Sequence, residues 1–262
     1  MSRYFTILIL LSLLVFVNTS CEKVIDLDLN SENPKYVIEG IVNKDSLVHY
    51  VKITRTLNFD ENTAFPTVDN AIVTISDNLG NTTTLSLDSP GIYKTTNYLG
   101  VEGRTYTITV SVDGKTFTSS STMPTHVPID SLTLETFAFG GPEPTSFLIA
   151  NRIDPAGVKN YYSFNLYDGN LPVGGIYLQT DQFADGVEVL EPIFGGEYLS
   201  GDTATLEMMC IDENVFKYFY TLSVNAGGTG GAVPANPESN FGSDCLGYFS
   251  AQTFQKKMII IP

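Results

Sequence analysis

From Lys35 onward, apolar and polar residues alternate in short runs, the period of a strand with one buried and one wet face. Tyr36-Val37-Ile38-Glu39-Gly40-Ile41-Val42 is the first such run. His49-Tyr50-Val51-Lys52-Ile53-Thr54 is the second, after a turn around Asn43-Lys44-Asp45. Asn58 to Val68 is polar, contains Pro66 and reads as a loop. Ala71 to Ile75 alternates again and meets Asp77-Asn78-Leu79-Gly80-Asn81, whose residue types predict a hairpin turn. Thr82 to Leu87, Gly91 to Tyr93 and the long run Tyr106 to Val112 follow, and Asp113-Gly114 turns the chain into Thr116 to Ser119. Short strands at roughly ten-residue spacing predict a β-sandwich over residues 35–125.

Met123-Pro124-Thr125-His126-Val127-Pro128 interrupts the alternation twice with proline, and a second domain, 126–262, is predicted to begin there. Its strand candidates are Ser131 to Phe139, Phe147 to Arg152, Tyr161 to Tyr167, Ile176 to Thr180, Ala204 to Cys210, Gly247 to Ala251 and Lys257 to Ile261. One stretch has a helical period instead. Asp212 is a good N-cap, and Val215, Phe216, Phe219, Tyr220 and Leu222 fall near one face, predicting a helix over 213–225. Gly227-Gly228-Thr229-Gly230-Gly231 ends it and opens a mobile loop.

The N-terminus follows another pattern. Arg3 precedes an apolar run, Tyr4 to Val17, broken by Thr6 and Ser12, and Asn18-Thr19-Ser20 leads to Cys21. These are the three zones of a secretory signal, and the run is short for a membrane span. Ending at cysteine, residues 1–20 look like a lipoprotein signal peptide, with Cys21 the lipidated first residue of the mature chain. An ordinary signal cut near Ser20 is the competing reading. Residues 21–34 then serve as a tether, although Ile25, Leu27 and Leu29 alternate as in a short edge strand.

Composition changes the picture in two places. A net charge of −15 over 262 residues opposes binding to nucleic acid or adsorption to anionic lipid, both of which need a basic face. The three cysteines are Cys21, Cys210 and Cys245. With Cys21 lipidated, Cys210 and Cys245 are expected to form a disulfide in an oxidising compartment, contributing about 4 kcal/mol in the chain-entropy model. Two buried free thiols are the alternative. His49 and His126 are the two histidines, and no Cys-x-x-Cys occurs, so no metal centre or cofactor is expected.

Several segments resemble one family in the right order. Cys21-Glu22-Lys23-Val24-Ile25-Asp26-Leu27 is similar to the mature start of the exported bacterial surface lipoproteins grouped as domain of unknown function 4249. Tyr36-Val37-Ile38-Glu39-Gly40 resembles their first core strand, and Gly103 to Val110 with Met123-Pro124 the close of their first sandwich. Ile153-Asp154-Pro155 with Asn160-Tyr161-Tyr162 resembles the entry to the second half. Asn236 to Phe241, then Leu246 to Ala251, is similar to the C-terminal signature. The turn Gly103-Arg104-Thr105-Tyr106 also resembles the approach to a late strand in immunoglobulin-like and transthyretin-like modules. The expected fold is therefore mainly β: an immunoglobulin/transthyretin-like sandwich followed by a second sandwich-like domain carrying one helix. The resemblance implies an outer-membrane lipoprotein, at the cell surface or periplasmic face, whose partners are the membrane, through its lipid, and a TonB-dependent transporter. It carries over no catalytic residues.

Candidate chemistry is sparse. Gly-x-Ser-x-Gly, His-Glu-x-x-His and paired Cys/His arrangements are absent from the sequence. The Gly227–Gly231 cluster follows a helix where a phosphate loop precedes one. Asp26/Asp28 and Asp212/Glu213 are weak calcium candidates, without the Asp-x-Asp-x-Asp-Gly run. Tyr161, Tyr162, Tyr167 and Tyr177 offer either an aromatic platform or core packing. The expectation is a non-enzymatic accessory lipoprotein that assists ligand uptake. A structural or adhesive fimbrial-type subunit and a carboxylate-only hydrolase are the alternatives.

Overall fold

Alternation in the sequence becomes alternation in burial. The computed structural model describes residues 34–58, 63–137, 145–196, 198–226 and 235–261. Cys21, the tether and the Gly227–Gly231 cluster lie outside them. Every element below belongs to one unit, Pro34–Leu57 with Glu61–Pro262. In β1 (Tyr36–Asn43) and β7 (Thr105–Val112) each second residue is buried. Tyr36, Ile38 and Val42 thus meet Tyr106, Ile108, Val110 and Val112 in one apolar cluster. Each such side chain contributes about 1.5–3 kcal/mol on full burial. The first half is completed by β2 (Tyr50–Arg55), β3 (Ile72–Asp77), β4 (Thr82–Thr84), β5 (Ser86–Ser89), β6 (Ile92–Lys94) and β8 (Lys115–Thr122). The β7–β8 hairpin turns on Asp113 and Gly114, both with positive φ (49° and 74°), as a two-residue turn of the favoured hand requires.

The second half holds β9 (Ser131–Phe137), β10 (Thr145–Ile153), β11 (Tyr161–Asp168), β12 (Leu171–Thr180), β13 (Glu188–Ile193), β14 (Thr203–Ile211), the helix α1 (Glu213–Ala226) and β15 (Cys245–Ile260). β13 is not among the strands expected from the sequence, and Pro192 sits inside it. As an edge strand, in the order β13-β10-β9, it tolerates the missing donor. The other two sheets run β4-β3-β7-β8 and β12-β11-β14-β15-β1-β2-β6-β5. The chain is mainly β, with three sheets and a single helix among the described residues.

One strand joins the halves. The two C-terminal runs of the sequence form a continuous 16-residue strand, β15. Its first part, Cys245–Gln252, lies parallel to β1, and its second part, Thr253–Ile260, pairs antiparallel with β14. Phe249 and Ala251 enter the first core, whereas Ile259 packs on the second, which gathers Leu148, Tyr162, Phe164, Leu206 and Met208. Side-chain amides tie this strand to the segments beside it. The Asn240 amide accepts the Phe249 N–H (2.9 Å) and donates to the Phe249 carbonyl (2.7 Å), and the Gln255 amide does the same for Ile129 N–H and Val127 carbonyl (2.9 and 2.6 Å).

This strand also overturns the expected disulfide. Cys210 pairs with Thr253 on β15, and Cys245 begins that same strand. At about 3.3 Å per residue the two lie roughly 25 Å apart, far beyond the ~7 Å a bridge can span. Both cysteines are free and buried, one in each core. Burial pushes both thiols up, that of Cys245 to about 12, so they are protonated and unreactive at neutral pH.

Candidate functional site

The large sheet keeps one face for the cores, and its opposite face forms a cleft beside α1. Strand parity selects the residues. On β1, Ile41 and Asn43 point away from the first core, and on β15, Tyr248, Gln252 and Phe254 do the same. Register brings them together: Asn43 stands opposite Gln252, Phe254 opposite Met209 of β14, and Met209 opposite Ser163 of β11. The floor therefore draws on four strands far apart in sequence.

The helix supplies a wall. Asp212 caps it as expected, accepting the Val215 N–H at 2.9 Å. Its second carboxylate oxygen accepts the Ser121 hydroxyl (2.6 Å) and the Thr122 N–H (3.0 Å), which fastens the helix start to β8. Val215 is buried against Met209 and Ile211, with Phe216 and Phe219 packed alongside. Phe219 meets the Tyr248 ring at 4.8 Å, and Tyr218 meets it at 5.0 Å. Tyr220, expected on the buried face, is 54% exposed, and Tyr218 takes the inward position instead.

The cleft measures about 330 Å³ and is lined by aliphatic, aromatic, thioether, amide and hydroxyl side chains, with no carboxylate, amine or imidazole among the described residues. Asn43, Gln252 and Ser163 are among its polar lining residues. The Asn43 amide oxygen is buried without a hydrogen-bond partner among the described residues. Gln252, 9% exposed, accepts the Ser250 hydroxyl through Oε1 (2.9 Å), leaving its NH₂ group available. Ser163, 7% exposed, lines the cleft on the far side of Met209 and Phe254. A more open hollow of about 520 Å³ continues past Ile41, Asn43 and Tyr248 to Glu39, Lys52 and His49. Glu39 and Lys52 pair there at 3.3 Å.

His49 supports the cleft from behind. It is 1% exposed, just ahead of β2. Its Nδ1 accepts the Asn43 backbone N–H (3.3 Å), so the proton sits on Nε2, which donates to the Tyr98 carbonyl (2.6 Å). Burial pushes its pKa down, and the ring stays neutral. His126 lies elsewhere, its Nδ1 buried without a partner among the described residues.

The sequence had pointed to other aromatics. Tyr162 is buried in the second core, Tyr161 packs on Phe216, the Tyr167 hydroxyl donates to Glu207 (3.0 Å) and the Tyr177 hydroxyl to the Gly174 carbonyl (3.1 Å). None lines the cleft. Of the residues that do, Phe219 was legible on the apolar face of the helix, and those of β1 and β15 only as the second parity of their strands. Of the calcium candidates, Asp26 and Asp28 lie outside the described residues. Asp212 is committed to the helix cap, and Glu213 pairs with Lys217 at 2.9 Å.

A second polar constellation sits inside the second core. The Arg152 guanidinium stacks 4.3 Å above the Tyr162 ring and donates to Glu191 at 3.5 Å. Tyr162 donates to Asp154 at 2.7 Å. Burial pushes the carboxyls of Asp154 and Glu191 up. Among the described residues no group of three or more His, Cys, Asp or Glu side chains is placed to hold a metal.

A search of curated proteins finds no match to this chain. A family model does match, over residues 22–258. The mainly β fold, the Asn240 clamp on β15 and the Asp154–Tyr162 bond all lie within that span, and the chain belongs to the domain of unknown function family DUF4249.

Proposed function

We propose that this chain is a non-catalytic binding lipoprotein, held in the outer membrane by lipid on Cys21, that assists a TonB-dependent transporter by holding ligand at its mouth. The cleft carries this reading. It is a preformed hollow on a rigid sheet, with unpaired amide and hydroxyl groups among aromatic walls, the common make-up of a small-molecule binding site. Its lining offers ligand contacts rather than an acid, a base or a nucleophile. The nearest imidazole, His49, has both ring nitrogens engaged. The N-terminal run ending at Cys21 supports export and anchoring.

Two measurements test it. Cys21→Ser should move the protein from the membrane to the soluble fraction, since stable anchoring rests on the acyl chains. Affinity isolation of the tagged wild type from detergent-solubilised outer membrane should recover a TonB-dependent transporter. A Ser variant that still sediments, with no labelled palmitate in the wild type, would overturn the anchoring. Recovery of only further copies of this chain, in a ladder, would favour the fimbrial alternative.

A further inference from the structure

We infer that the cleft beside α1 takes a neutral sugar, one ring in the enclosed part with room for a second where the open hollow begins. This rests on the binding reading and names its ligand class. Charge comes first. Among the described residues no carboxylate, amine or imidazole lines the enclosed part, so a carboxylate, phosphate or ammonium would lose its hydration there without an opposite charge to offset it. A purely apolar ligand fails for the opposite reason. It would leave the Gln252 NH₂ and the Ser163 hydroxyl unpaired under its own surface.

Hydroxyls that both donate and accept satisfy an amide nitrogen and a hydroxyl alike. Gln252 is fixed for this task, because Ser250, fully buried, holds its oxygen and leaves the nitrogen facing outward. Phe219, Tyr248 and Phe254 provide flat apolar surfaces against which the C–H face of a sugar ring packs. The size agrees. About 330 Å³ corresponds to roughly ten water-sized groups, the bulk of one ring. An extended peptide is a poorer fit, because strand addition needs a free sheet edge and the floor here is a sheet face.

The test uses the whole mature chain with Cys21→Ser, so that it is soluble. Saturation-transfer NMR and calorimetry are run with glucose, galactose, mannose, N-acetylglucosamine, maltose and cellobiose at about 10 mM. Glucuronate and decanoate serve as charged and apolar controls. At least one neutral sugar should bind, with transfer strongest to its ring C–H protons. Phe254→Ala and Asn165→Ala, both at exposed lining positions, should each weaken it about tenfold or more without shifting Tm. Absence of transfer from all six sugars would overturn the inference, as would tighter binding of either control or affinity unchanged in both variants. Any of these would leave the membrane-fractionation and affinity-isolation results standing, so failure of the ligand class is separable from failure of the accessory role.

Discussion

In the core built from β1–β8 and the first half of β15, polar atoms that reach the interior are paired. The Tyr93 hydroxyl donates to the Val68 carbonyl (2.9 Å) and accepts the Ala71 N–H (3.0 Å), and the Tyr106 hydroxyl serves Val101 in the same two ways. Asp77, with its side chain 1% exposed, accepts from Leu79, Asn81 and Arg104. In the core built from β9–β14 and the second half of β15, Arg152, Asp154, Asn160 and Thr253 all keep buried polar atoms without partners among the described residues. On the first side such an atom belongs to Asn43, and it lies in the cleft. The contrast separates two uses of buried polarity. Around the first core the unpaired atom sits on a side chain that lines the cleft, whereas in the second Arg152 and Asp154 keep theirs within an ionic cluster.

Removing Arg152 should give the largest effect. Arg152→Met leaves Glu191 and Asp154 buried without their cation, at a cost of about 3–5 kcal/mol in urea unfolding. Arg104→Met should cost about 1–2 kcal/mol, because Asp77 keeps its bonds from Leu79 and Asn81. Equal losses would erase the distinction between the cores.

Gly247→Ala strikes the strand they share. Gly247 has φ of 92°, and an added Cβ would stand 2.1 Å from the Ile38 carbonyl oxygen. A loss of about 3 kcal/mol is expected, with hydrogen exchange rising first along β1 and the first half of β15. Faster exchange in β9–β13 alone would contradict the shared-strand description.

The pH response should run in opposite directions. Burial pushes the Asp77 carboxyl up, but the bonds from Asn81, Leu79 and Arg104 outweigh it and hold the pKa below the usual range. Asp77 thus contributes stability above about pH 3.9 that is lost as pH falls through its lowered folded value. His49, lowered by burial, adds a second loss on acidification: below about pH 6.5 the unfolded chain takes up a proton that the folded one refuses. Asp154 and Glu191 are raised by burial, so their contribution declines as pH rises from about 4 through their folded values, then levels off. Residue-resolved exchange between about pH 2 and 7 checks this. His49→Gln should flatten the first-core slope between pH 5 and 7 and leave the second core unchanged.

The smallest effect is expected at the thiols. Alkylation of denatured, non-reduced protein should label both Cys210 and Cys245, and dithiothreitol should leave Tm unmoved. A Cys210–Cys245 peptide would mean that β15 is not one strand.

Local chemistry made much of this legible from the sequence. The alternation of β1 and β7, the Asp113-Gly114 turn, the Asp212 cap and the helix after it each depend on neighbours within a few residues, and all appear as expected. Which strands meet does not depend on neighbours. Pairing of Tyr36 with Cys245 is a contact across some two hundred residues, and its merit lies in covering both cores at once. That one choice made two C-terminal runs into a single strand, carried the two cysteines to opposite cores and set Asn43 beside Gln252. The sequence by itself determined that β1 and the run Gly247 to Ala251 each alternate between two faces. Tertiary structure decided that those faces adjoin, because strand parity is a local property and strand adjacency is settled by the packing of the whole chain.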